Sequence, residues 1–158
     1  MRRKDKQITD YNKIEMILRK GKILHIAMLD GNKPYLIPVN YGYQNNIIYI
    51  HCAKEGKKID LIKKNNVICF QTEIGVKVVN AEVAYKCGTL YKSVLGYGKA
   101  YFIDNPKEKK MATDILMNQY RNEEGAKHAY GKCLKEVCII KIEIDSISGK
   151  ESLYRHLD

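Results

Sequence analysis

Ile47-Ile48-Tyr49-Ile50-His51-Cys52-Ala53-Lys54-Glu55-Gly56-Lys57-Lys58 leaves one kind of structure and enters another. Isoleucine and tyrosine at its start favour a buried strand. A glycine and three lysines follow, and Ile59 and Ile62 then recur at helical spacing, so residues 54–65 are expected to form a short helix. The first N–H groups of a helix lack partners, and its dipole is positive at that end. Lysine ammonium groups beside them add point charges, so a phosphate monoester suits the junction. A solvated, lysine-rich helix start explains the same residues equally well.

Outward from this junction the period stays that of strands. Ile23 to Leu29 is a short apolar run, Asp30-Gly31-Asn32 a turn, Pro34 to Tyr43 a second run, and Gln44-Asn45-Asn46 another turn. With Ile47 to Cys52 this predicts an antiparallel meander. Residues 1–9 read as a basic lead-in, after which Thr9 or Asp10 caps a helix running to about Lys20, with Ile14, Ile17 and Leu18 as its apolar stripe and Gly21 as its stop. Val67 to Thr72 is a fourth strand, and Val76 to Ile103 is β-favouring, broken at Gly88, Gly96 and Gly98 into two expected strands. Asn105-Pro106 opens a second long helix whose apolar face is Met111, Ile115 and Leu116. Residues 122–135 are polar and ambiguous, Val137 to Ile144 is a final strand, and residues 146–158 read as a tail. The expectation is a single domain, residues 1–158, mainly β, a β-barrel of six antiparallel strands with helices between them. No G-x-G-x-x-G follows a first strand, which argues against a dinucleotide-binding doubly wound sheet.

Composition narrows the function classes. Of 158 residues, 45% are hydrophobic and 29% charged, which excludes wholesale disorder. No apolar run approaches the ~18 residues of a membrane span, and no signal peptide is visible, so a cytoplasmic location away from membranes is expected. Five cysteines, an odd number with no C-x-x-C, favour free thiols over disulfides, and no Cys/His pairs stand at zinc spacing, so no metal is expected. The net charge of +10 favours anionic ligands. The lysines are spread along the chain and outnumber arginine, the usual base-reading residue, so nucleic acid is not an expected partner.

Three stretches in order carry a family resemblance: Pro38-Val39-Asn40-Tyr41-Gly42, then Tyr49 to Lys58, then Tyr91-Lys92-Ser93-Val94-Leu95-Gly96-Tyr97-Gly98-Lys99-Ala100. Over about residues 1–150 the chain resembles the pyridoxamine-phosphate-oxidase-like, FMN-binding split barrels, nearest to the flavin-nucleotide-binding branch that includes nitroimidazole-resistance proteins. The resemblance implies a homodimer with FMN in a cleft between subunits; FAD shares the same phosphate position and is also accommodated. It implies that Ile37, Pro38, Val39, Asn40 and Tyr41 run beside the flavin ring through their backbone. His51 and Cys52 line the flavin, Lys57 and Lys58 grip its phosphate, and Ser93 assists. This chain has Lys92 where arginine is usual and Cys52 where serine or threonine is frequent. The substrate-binding segment of true pyridoxamine-phosphate oxidases is not recognisable, so that activity is not expected.

His51 has two readings: a strand-end side chain packed beside the flavin, or a substrate-facing imidazole that bonds a nitro group or delivers a proton. The implied function is a flavin-dependent reductase of small molecules, nitroimidazoles or other nitroaromatics included. The alternatives are a flavin-binding module without turnover and a haem-binding split barrel, for which His128 or His156 is the available ligand.

Overall fold

The computed structural model describes residues 2–120 and 136–153. Its strands are β1 (Gln7–Ile8), β2 (Leu24–Asp30), β3 (Lys33–Val39), β4 (Tyr41–Gln44), β5 (Ile47–Cys52), β6 (Val67–Val79), β7 (Gly88–Ile103) and β8 (Cys138–Ser152). Its helices are α1 (Tyr11–Lys20), α2 (Lys57–Lys64) and α3 (Pro106–Tyr120). All strand pairs are antiparallel, in the order β3-β2-β6-β7-β8-β5-β4, with β1 also on β8.

β3 and β4 lie at opposite ends of that order, yet only Asn40 separates them in the chain. One residue spans a few ångströms, so the sheet must roll until its two edges nearly meet. They do not pair, and the result is a split barrel. Alternate residues fill its interior: Leu24, Ile26 and Met28 on β2, Ile48 and Ile50 on β5, Ile68 and Phe70 on β6, Ile140 and Ile142 on β8. β7 contributes small residues there. A methyl group on Gly96 would stand 2.3 Å from Phe70 Cζ and 2.8 Å from the Ser146 carbonyl, so only glycine leaves room for the Phe70 ring.

The expected mainly-β barrel is present, with eight strands where six were expected. Three sequence boundaries differ, the first being that residues 76–103, expected as two strands, supply the end of β6 and the single strand β7, which runs on through Gly96 and Gly98. The Pro34–Tyr43 run divides at Asn40 into β3 and β4, which belong to different edges. The lead-in ends in β1, where Ile8 is 6% exposed and pairs across to Gly149. The assignment of a tail from residue 146 is likewise corrected, because β8 continues to Ser152. That half of β8 lacks a continuous apolar run and is held instead by ladders to β7 and β1 on its two sides. Residues 122–135 and the terminal part of the tail, from 154, lie outside the described residues.

The helices follow local chemistry. Asp10 Oδ1 accepts from the Asn12 N–H at 2.9 Å and caps α1, and Ile14, Ile17 and Leu18 bury its apolar stripe. α2 begins at Lys57, later than expected, because Gly56 takes φ +117°, a conformation open to glycine. α3 is tied to the far end of α1: Gln119 Nε2 donates to the carbonyls of Leu18 and Gly21 at 2.8 and 2.9 Å.

Candidate functional site

At the split, the end of β5, the start of α2 and the start of β8 enclose an open cleft of about 570 Å³. Pro38, Val39 and Asn40 supply one wall from the break between β3 and β4. His51, Cys52 and Ala53 supply the floor where β5 runs out, Lys58 stands at the first turn of α2, and Glu136 and Val137 close the side before β8. The volume is that of a small-molecule or cofactor site. Six of the residues expected to bind a cofactor therefore meet in one place: Pro38, Val39, Asn40, His51, Cys52 and Lys58.

The chemistry of the cleft is cationic at one end and mixed along its floor. No side chain caps α2, so its first N–H groups are free to meet an anion beside Lys58. His51 is exposed at the floor. Cys52 is half-buried, and burial pushes its thiol up to about 11; Lys58 opposes this and Cys138 adds to it. At neutral pH Cys52 is a protonated thiol, a weak hydrogen-bond donor. These residues fit a phosphate group at the α2 end, where Lys58 and the uncapped helix start would hold it.

The other four expected residues stand elsewhere. Ile37 packs partly into the barrel core. Tyr41 is fully buried; its hydroxyl donates to the Leu18 carbonyl at 2.6 Å, and burial pushes its ionisation far above the ordinary range. Its backbone N–H donates to Tyr120 Oη at 2.8 Å, so that donor is already engaged. Lys57 points away from the cleft wall: its Nζ lies 2.7 Å from Asp30 Oδ2 and 4.8 Å from the centroid of Tyr35. Asp30 holds the Lys57 ammonium above its usual range, and Lys57 holds the Asp30 carboxyl below its own. Ser93 sits on the outward face of β7, between Glu73 on β6 and Lys150 on β8. Lys92 is paired with Glu151 at 3.1 Å. His128 and His156, the haem-ligand alternatives, lie outside the described residues.

Glu136 and Val137 were not anticipated as wall residues. They precede a strand whose pairing partner only the fold reveals, so no local pattern marks them. A second hollow of about 390 Å³ lies between the N-terminal turn and Tyr85–Leu90, and it contains none of the expected site residues.

Residues 10–151 match the family model described as pyridoxamine 5'-phosphate oxidase. The chain belongs to that family. Among solved structures it is similar to a candidate 5-nitroimidazole antibiotic resistance protein from Bacteroides thetaiotaomicron, at 30% identity over 92% of this chain and 86% of that one, with a TM-score of 0.79. It is also similar to the flavocytochrome Anf3 from Azotobacter vinelandii, at 18% identity over 100% of this chain and 74% of that one, TM-score 0.83. A third likeness is to an FAD and heme binding protein from Mycobacterium smegmatis, at 17% identity over 93% of this chain and 73% of that one, TM-score 0.78. The last two are distant in sequence and speak to the shared fold. No curated protein matches the chain in sequence. The family and the nitroimidazole-resistance branch expected from the sequence are both supported. No described helix is long and apolar enough to cross a membrane.

Proposed function

We propose that this chain binds FMN in the cleft at the barrel split, as a homodimer, and reduces small molecules there, nitroaromatic compounds included. One observation carries the reading: six residues singled out as cofactor contacts, scattered from Pro38 to Lys58 in sequence, converge on one cleft beside an uncapped helix start. When bound, the flavin supplies the hydride and electron chemistry. Lys58 and the first N–H groups of α2 hold its phosphate. The backbone from Pro38 to Asn40 borders the ring. His51, exposed on the floor, is positioned to hydrogen-bond a substrate or hand it a proton.

The homodimer rests on the outer face of the barrel. Leu36, Ala27, Cys69 and Tyr97 form one continuous row across β3, β2, β6 and β7, with Leu36 63% and Tyr97 50% exposed. The neighbouring row carries Pro38, His25, Gln71 and Leu95, and His25 Nδ1 is buried there without a hydrogen-bond partner. A contiguous apolar face with an unsatisfied polar atom is suited to cover by a second copy. Ser93 lies on the same face, which gives it a route to a shared cofactor from across the interface.

Two measurements test the reading. The visible spectrum and light-scattering mass of the purified protein come first: flavin absorption and a dimer are expected, whereas a Soret band, failure to take up added FMN, or a stable monomer would overturn the respective part. Single-turnover reoxidation of the chemically reduced flavoprotein by a nitro compound follows. His51→Ala should retain flavin and lose turnover by ~10²-fold; an unchanged rate would return His51 to a packing role.

A further inference from the structure

Cys52 ends β5, Cys138 begins β8, and the register sets them directly opposite each other. Their pairing class follows from the ladder. The Ile144 N–H donates to the Asn46 carbonyl at 3.3 Å, one step beyond Ile47↔Glu143 in the same register. Hydrogen-bonded pairs alternate along antiparallel strands, so counting inward by twos from Asn46 reaches Cys52 and Cys138 as a bonded pair, with Cα atoms about 5.5 Å apart. A disulfide takes Cα separations of about 4.4–6.8 Å. Cys138 stands close enough to act on the ionisation of Cys52, helping burial to raise it while Lys58 opposes it. Both cysteines are half-buried, and Cys52 is the one that lines the cleft. The other described cysteines have no such neighbour: Cys69 stands between Ala27 and Tyr97, and Cys87 is exposed, its sulfur bonded to the Ala81 backbone.

We propose that Cys52 and Cys138 are a peroxide-reactive dithiol that closes to a disulfide in the floor of the cleft. Cys52, which meets solvent in the cleft, attacks one oxygen of hydrogen peroxide. The O–O bond breaks, the departing hydroxide takes up the thiol proton as water, and Cys52 is left as a sulfenic acid. The Cys138 sulfur then attacks the Cys52 sulfur, the S–O bond breaks, and a second water leaves. In sum, two thiols lose two electrons and two protons, and one peroxide becomes two waters. The attacking form is the thiolate, so the elevated Cys52 ionisation makes closure slow at neutral pH and faster as the pH rises. The site stands independently of any flavin, since both sulfurs belong to the barrel itself.

The test uses the reduced, cofactor-free full chain treated with hydrogen peroxide, alkylated, and digested with trypsin without reduction. Cys52 falls on the peptide of residues 23–54, Cys138 on 136–141 and Cys133 on 133–135, so the partners are distinguishable. The expected product is a 23–54/136–141 cross-link, lighter than the two peptides by two hydrogens and released by dithiothreitol. In Cys138→Ser the sulfenic acid should persist on Cys52 and be captured by dimedone, and in Cys52→Ser the Cys138 peptide should remain alkylatable. Both peptides alkylated in treated wild type, or Cys52 cross-linked to the 133–135 peptide, would overturn the proposal. Absence of dimedone adduct on Cys52 in Cys138→Ser would overturn its role as the attacking sulfur.

Discussion

Substituting Lys57 and Lys58 separately distinguishes two cations that adjacent positions in sequence would make equivalent. Lys58 stands in the cleft at the uncapped start of α2, whereas Lys57 spends its charge on Asp30 at 2.7 Å and its stem over the Tyr35 ring. A charge-assisted hydrogen bond to a phosphate contributes ~1.5–3 kcal/mol, so Lys58→Ala should weaken FMN binding by roughly 10- to 150-fold. Lys57 acts on the same phosphate only as a distant charge, already balanced by its carboxylate partner and screened by solvent. Its alanine variant should lose roughly two- to threefold. Asp30→Asn supplies the converse: it frees the Lys57 ammonium, and FMN affinity should hold or rise. The assay is titration of apoprotein with FMN, followed by quenching of flavin fluorescence at fixed ionic strength. If Lys57→Ala cost as much as Lys58→Ala, the assignment of the phosphate to the cleft side of α2 would be wrong.

Two further outcomes follow from the core. Gly96→Ala drives a methyl group to 2.3 Å from Phe70 and 2.8 Å from a backbone carbonyl that cannot move aside, so overpacking of ~1–3 kcal/mol should lower Tm by roughly 2–12 °C, while Gly88→Ala, with open space around it, should leave Tm in place. The alkaline limb should be set by Tyr41 and Tyr43, whose hydroxyls are held well above the ordinary value of 10.0, chiefly by burial, with Glu15 accepting from Tyr43 at 2.8 Å. The unfolded chain then releases protons that the folded chain retains, so the stability these two tyrosines contribute is steady below about pH 10 and falls above it. Phenolate absorbance and circular dichroism recorded together across that range check this, and full titration of the tyrosines without loss of structure would contradict it.

What was legible in the sequence was local. The strand-to-helix junction and an α1 cap at Thr9 or Asp10 announce themselves within a few residues, because periodicity and unpaired N–H groups are local properties, whereas Gly96 and Gly98, read as strand breaks, lie inside the continuous β7. Pairing was not legible. Nothing near Asn40 says that Val39 and Tyr41 belong to opposite edges, and nothing near Cys138 says that it faces Cys52. The site showed the same division. Residue types suited to a phosphate were visible at Lys57 and Lys58 alike, and only the fold, by bringing Asp30 at the end of β2 beside α2, separated their roles. Ser93 was found by motif, but its face is set by strand alternation from Val94, which is fully buried.

The cleft exists because the barrel fails to close, and each edge has its own reason. On β3, Pro34 and Pro38 pair with Leu29 and His25 of β2. Proline has no N–H to give, so an intact ladder to β2 requires both to occupy positions that turn towards the free edge. That edge consequently presents the N–H of Leu36 and lacks those of its two alternate neighbours. On β4, the Tyr41 N–H that would have met it is taken by Tyr120 of α3, whose hydroxyl in turn donates a hydrogen bond to the Lys22 carbonyl at 2.8 Å. α3 can reach that far because its backbone rests directly on Gly42; a methyl group there would stand 2.8 Å from Leu116. One edge is short of donors and the other has its donor engaged, so the strands that the chain brings within one residue of each other remain apart. Pro38, Val39 and Asn40 are left lining the gap, and that gap is the wall against which His51, Cys52 and Lys58 are set.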